Sequence, residues 1–166
     1  MKDAILHYAQ PNAFKRHYGI TRDDILIATL EYEGLIGNKA TAQAGKHQWT
    51  LAKEGWWHPK VLIASNDAQV AVYQQPLFKR TGSVTLKGNT YYFGYKGIGF
   101  KSYYAWRDKN GTELITYANG GLIRRRGDIT LCTELEDKPT QQLLILLGLF
   151  VSFETDDEDT SAGAAA

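Results

Sequence analysis

Glu31 and Glu33 stand two residues apart in "TLEYEG", and Asp23 and Asp24 lie just before them in the chain. Side chains at i and i+2 of a strand share a face, so this acidic group could support acid–base or metal chemistry. A solvated strand face produces the same spacing without chemistry, and we favour that reading. His7, His17, His47 and His58 show no metal-ligand spacing such as H-x3-H, and Cys132 is the single cysteine. No metal and no cofactor are therefore expected, and Cys132 reads as a small core hydrophobe on a strand. The chain contains no G-x-S-x-G, Walker A or H-E-x-x-H motif, so no catalytic residue is assigned.

The basic residues carry more information. Residues 79–126 hold ten Lys/Arg against two Asp/Glu, whereas residues 127–166 hold one against nine. Lys79, Arg80, Lys96, Lys101, Arg124 and Arg126 are the candidate site residues, with Lys87 and Arg125 beside them. Gathered on one surface they would suit phosphates or anionic headgroups; scattered, they would only solvate strand edges. Arg124 and Arg126 would share a strand face while Arg125 points the other way. "KGIGFKSYY", from Lys96 to Tyr104, approaches the first ribonucleoprotein motif of RNA-recognition domains, with Ile98 and Lys101 as mismatches. The helices that such a domain requires are missing, so the glycines read as strand bends and nucleic acid is not expected. "WWHP", from Trp56 to Pro59, reads as rim packing before it reads as a partner platform.

These residues must be held by something, and the patterning says what. At 166 residues the chain is one domain of ordinary size. Ten Tyr, four Trp and sixteen Gly against four Pro favour strands and tight turns. From "DDILIATLEYEG" to "DITLCTE", eleven short runs of period-two character are separated by turn signals such as Asn66-Asp67 and Gly88-Asn89. That spacing predicts an antiparallel meander forming a barrel or sandwich. Residues 1–20 are expected to hold one or two helical turns, interrupted by Pro11 and Gly19. The N-terminus has no apolar core of signal-peptide length, so a cytoplasmic protein is expected.

One segment breaks the strand pattern. "LLILLGLFVSF", residues 143–153, is apolar on every side. A spanning helix needs about 20 apolar residues, and no Lys or Arg follows this run, so a transmembrane span is not expected. A helix hydrophobic all round must instead be buried in protein. Asp137 is placed to cap it and Pro139 to sit in its first turn. The predicted solution is a closed barrel of about 11–12 strands whose lumen holds this helix. Leu143, Leu144, Leu146, Leu147, Leu149 and Phe150 would be its core residues. The acidic, low-complexity segment 154–166 is expected to be a disordered tail following a single domain of residues 1–153.

The meander, the hairpins "IASNDAQVAVYQ" and "AWRDKNGTELITY", and the terminal helix together resemble the tubby C-terminal-like superfamily. That superfamily includes plant LURP-one-related proteins and phospholipid scramblases, and the likeness covers roughly residues 24–153. It implies a twelve-stranded barrel threaded by the helix. Tubby-type members bind phosphoinositides through a basic surface, so an anionic phospholipid or a protein becomes the expected partner. Neither a tubby signature nor an Asp-rich calcium segment is present. The expected role is that of a non-enzymatic binding or scaffold domain. Two rivals differ from it in a visible way. A lipocalin-like carrier would keep its lumen open for a small hydrophobic ligand, and an all-β enzyme would line a pocket with Glu31, Glu33 or a histidine.

Overall fold

In a computed structural model, the protein is described over residues 3–12, 14–34, 37–55, 59–76, 81–97, 102–119 and 126–165, with backbone alone at 119 and 156–165. Twelve strands run in chain order. They are β1 Ala4–Ala9, β2 His17–Arg22, β3 Ile25–Tyr32, β4 Lys39–Ala44, β5 His47–Glu54, β6 Lys60–Ser65, β7 Ala68–Gln74, β8 Thr81–Leu86, β9 Asn89–Lys96, β10 Tyr103–Arg107, β11 Glu113–Asn119 and β12 Arg126–Leu131. Each pairs with its sequence neighbours, and β1 closes the barrel on β12 with Ala4 opposite Leu131 and Ala9 opposite Arg126. Helix α1, Lys138–Ala165, follows.

Two strands replace the helical turns expected in residues 1–20. Leu6 and Tyr8 of β1, and Tyr18 and Ile20 of β2, face inward at period two. Pro11 falls in the connection between these strands and interrupts neither. Cys132 lies just past β12, half-buried, rather than on a strand; burial pushes its thiol pKa up, and it is no reactive thiolate. Glu33 lies beyond the end of β3, so it does not continue the face of Glu31. The run "GLIRR" at 121–125 lies outside the described residues.

The connections alternate in character. Asp23-Asp24 and Asn66-Asp67 have positive φ at both turn residues, as do Lys87 and Gly88. Positive φ at both positions is the twist that a two-residue hairpin requires, and Asp and Asn tolerate it best among side-chain-bearing residues. These tight turns all sit at one end of the barrel. The longer connections, β1–β2, β3–β4, β5–β6, β7–β8, β9–β10 and β11–β12, all open at the other.

The barrel is built as one four-stranded unit used three times. The second hairpin side in each unit carries a register shift at the same place: after Ile20, after Ile63 and after Trp106. These residues are 43 positions apart, and the unpaired residues are Ile27, Val70 and Leu114. The sequence around them repeats accordingly. Phe14-Lys15, Trp57-His58 and Phe100-Lys101 fall at the same spacing. A fixed period of this size is the mark of a repeated supersecondary unit.

The helix occupies the lumen. From Leu143 to Phe153 its described side chains are buried on every side, including Leu144, Leu146, Leu147, Leu149 and Phe150. Inward residues from widely separated strands meet it. Phe153 packs on Tyr8 and Tyr18, and Phe150 stacks on Tyr32 at 5.4 Å. From β10 and β11, Trp106 Nε1 and the Tyr117 hydroxyl donate to the Leu144 carbonyl at 2.8 and 2.9 Å. Burying these Leu, Ile, Val and Phe side chains contributes on the order of 20 kcal/mol before ordering entropy is subtracted. A barrel this wide cannot be filled by strand side chains alone, and a helix about 10 Å across fills it.

Gly148 makes the two hydrogen bonds possible. A Cβ at this position would collide with the Tyr117 hydroxyl and lie 2.5 Å from Trp106 Nε1. The glycine is thus a notch through which both side chains reach the helix backbone. At the start of the helix, Asp137 accepts from the Thr140 amide at 3.1 Å and from the Thr140 hydroxyl. The same carboxylate accepts two hydrogen bonds from Lys87 at 2.8 and 2.9 Å, tying the cap to the β8–β9 turn.

Candidate functional site

Charge divides the barrel by its ends. The Asp137 end carries Asp23, Asp24, Asp67, Asp108, Glu134, Glu136 and Asp137 against Arg22, Lys46, Lys87, Lys109 and Lys138. The end at which α1 leaves, marked by Glu154, carries Lys15, Arg16, Lys39, Lys53, Lys60, Lys96 and Arg126 against Glu31, Glu33, Glu54 and Glu154 among the described residues. Topology gathers these residues from distant parts of the chain, because six of the inter-strand connections open at the Glu154 end.

Of the candidate basic residues, Lys79, Arg80, Lys101 and Arg124 lie outside the described residues. The described strand ends that flank them, Gln74 and Thr81, Lys96 and Tyr103, and Asn119 and Arg126, are all at the Glu154 end. Lys96 ends β9 and makes an ion pair with Glu113 at 3.8 Å. Arg126 opens β12, is exposed, and lines a shallow depression of about 490 Å³ with His7 and Asp128. Lys87 does not belong with them, since it faces the opposite end and holds Asp137. The basic stretch 79–126 is therefore not one surface.

Sequence reasoning missed Lys15 and Lys60, which share the Glu154 end with Arg126. All three side chains are exposed, and among the described residues none has an ion-pair partner. They come from the first, second and third repeat respectively. Phe14, beside Lys15, is 84% exposed. The two border a concave surface of about 520 Å³ together with Asn12, Arg16, His17 and Glu31. For Lys15 a signal was present in the 43-residue period, which aligns Phe14-Lys15 with two further aromatic–basic pairs; Lys60 falls outside that alignment.

Arg16 and Lys53 play a different part at this end. Arg16 lies over the Tyr32 ring at 3.9 Å and donates to the Gly37 carbonyl at 2.8 Å. Its guanidinium is 3.7 Å from one carboxylate oxygen of Glu154, and the Lys53 ammonium is 3.8 Å from the other. All three side chains are at most 20% exposed. They hold the helix where it leaves the barrel.

The constellations with catalytic potential resolve into cross-strand pairs. His7 Nδ1 meets Asp128 at 2.6 Å across the β1–β12 seam, both exposed. Glu31 lies 3.6 Å from His17, directly opposite on β2, and Glu33 pairs with Lys39 at 3.4 Å. On the outer wall, Glu113 accepts from the Tyr103 hydroxyl at 3.0 Å and from Arg107 at 2.9 Å. Burial works to raise the Glu113 pKa, but hydrogen bonds from Arg107 and Tyr103 and the nearby positive charges hold it below the usual range. Its hydrogen bond to Glu113 pushes the Tyr103 pKa up. A carboxylate held low beside a phenol held high is a stabilised ion and not a base poised near neutrality. Among the described residues no three His, Cys, Asp or Glu side chains converge on a metal position. Trp56, Trp57 and His58 lie outside the described residues.

The site so defined is a basic, partly aromatic end of a closed twelve-stranded β-barrel with a filled lumen behind it. No family model, curated protein or solved structure matches the chain. Among the described residues no helix is long and apolar enough to cross a membrane.

Proposed function

We propose that this is a non-enzymatic binding domain that takes anionic groups on the Glu154 end of the barrel, lipid phosphates at a membrane surface being the partner class. The carrying observation is the trio Lys15, Lys60 and Arg126, exposed cations from three repeats around one end. Each basic residue near an anionic membrane contributes about 1 kcal/mol. Phe14 adds an exposed ring beside Lys15 that can enter the headgroup layer. A carrier reading is disfavoured because α1 takes the space its ligand would need. The resemblance of the sequence to tubby-type barrels, whose members bind lipid through a basic surface, points the same way, and a cytoplasmic setting, where anionic lipids would face the protein, is part of the proposal.

Co-sedimentation with phosphatidylcholine vesicles, with and without phosphatidylserine or a phosphoinositide, tests the proposal. Binding is expected only with the anionic lipid, and K15E/K60E/R126E should abolish it while leaving the melting transition in place. Equal binding of the triple variant would refute the assignment of this surface. Binding that requires a protein from the same cell, and never lipid, would move the partner class to protein.

A further inference from the structure

We infer that the acidic extension of α1 is a built-in competitor that screens the Glu154 end from anionic partners. The inference rests on the reading of that end as an anion-binding surface. The helix leaves the lumen through the middle of the same opening around which Lys15, Lys60 and Arg126 are set. It continues to Ala165, so its backbone projects about 18 Å beyond Phe153 at 1.5 Å per residue. A flat anionic surface approaching the opening must meet this segment first.

The segment carries the charge that such a screen requires. Glu154, Asp156, Asp157, Glu158 and Asp159 occur within six consecutive positions and no basic residue accompanies them. The first of them is anchored at this end, 3.7 Å from Arg16 and 3.8 Å from Lys53, which fixes the start of the acidic run beside the opening ringed by Lys15, Lys60 and Arg126. Arg16 is held independently by Tyr32 and Gly37, so the carboxylate meets a cation fixed in place. One turn on, positions 157 and 158 return to the helix face that carries Glu154, and both are acidic in sequence. Because the segment is tethered, its carboxylates act at high effective concentration, which no dilution of the protein can lower.

The same sequence makes the screen displaceable. Asp, Thr, Ser and Gly are weak helix formers, and like charges three and four residues apart oppose one another. Negative charge near the helix C-terminus also opposes the backbone dipole, and the last turn contains no basic residue. Among the described residues, the wholly buried part of the helix ends at Phe153. Ordering of the extension is thus weakly held and gives way when a denser anionic surface competes for the cations.

The test compares the full chain with D156N/D157N/E158Q/D159N, which keeps its length, and with a chain ending at Thr155. Each is titrated with phosphatidylserine-containing vesicles and, separately, with inorganic polyphosphate, at about 20 and about 300 mM salt. Both altered chains should bind vesicles about tenfold more tightly at low salt, and the advantage should shrink at high salt. A gain with polyphosphate but not with vesicles would assign the ligand as free phosphate. Adding K15E/K60E/R126E to the neutralised chain should remove the gain. Persistence of the gain in that background would overturn the inference, because the effect would then follow net charge alone. Equal binding by full and altered chains overturns the screen but leaves the binding surface, whereas no binding by any of them overturns both.

Discussion

Gly148→Ala separates a helix in the lumen from a helix packed elsewhere by the sign of its effect. In an exposed or loosely packed helix, replacing glycine by alanine stabilises by about 1 kcal/mol, because glycine loses more backbone freedom. In this barrel the added Cβ would collide with the Tyr117 hydroxyl and approach Trp106 Nε1 to 2.5 Å. Both donors are wholly buried and both reach the Leu144 carbonyl. Overpacking of a close-packed interior costs about 1–3 kcal/mol. Displacing one buried donor from its acceptor costs about 1–3 more. Subtracting the propensity gain leaves a loss of about 1–5 kcal/mol. At about 2–4 °C per kcal/mol for a chain of this size, a loss of 3 lowers Tm by about 6–12 °C. Thermal melting followed by near-ultraviolet circular dichroism reads the result directly, since Trp106 and Tyr117 lie at the perturbed point. A variant that melts at or above the parent temperature would refute the notch and, with it, the close approach of β10 and β11 to the helix.

Two further outcomes are expected. Leu146→Asp buries a carboxylate among apolar side chains at a cost of several kcal/mol, so it should leave no cooperative melt and yield protein only in the insoluble fraction. Asp137→Asn removes a carboxylate whose pKa is lowered first by its hydrogen bond to Lys87 and then by Thr140. A depressed folded pKa gives stability that is present above the unfolded value of 3.8 and lost as pH falls through the folded one. The parent Tm should therefore fall more steeply than that of the variant below about pH 4, and parallel curves in melts taken at successive pH values would dismiss the Lys87 link.

The barrel and its helix were legible because each rests on a local signal. Turn residues at Asn66-Asp67 and Gly88-Asn89 mark hairpins, and a wholly apolar run at 143–153 leaves burial as its one solution. The first two strands were harder to read because Pro11 and Gly19 suggested interruption. Period two was nonetheless present in Leu6 and Tyr8, and Pro11 merely joins two strands. The candidate site was less legible, because its members are set by topology and not by neighbourhood in sequence. Lys87 is only nine positions from Lys96 yet faces the opposite end, while Lys15, Lys60 and Arg126 meet across most of the chain. The period of 43 aligns Lys15 with His58 and Lys101, whereas Lys60 and Arg126 fall at other points of the repeat. The period itself is carried by residue classes at scattered positions and by shared bulges, which become plain only once strand pairing is known. Gly148 was unreadable in advance, because its need arises from two side chains some 30–40 positions away.

Closure of the barrel has a consequence for how the protein is made. The seam joins His7 to Asp128, 121 positions apart, and the helix that fills the interior is synthesised after every strand. Contacts this distant in sequence form slowly, since the chain must lose loop entropy before any of them contributes. At about 5–20 residues per second, a ribosome holds the first strands for many seconds with one edge of β1 unpaired, its β12 partner still to be made, and without the helix that covers Tyr8, Tyr18 and Tyr32. During that interval the inner aromatic face has no helix to bury it, and exposed apolar surface of this kind is what makes folding intermediates prone to aggregate. Release becomes productive only when residues 143–153 clear the exit tunnel and the sheet can wrap around them. The last apolar segment of the chain is in this sense the template on which the first strand finds the twelfth.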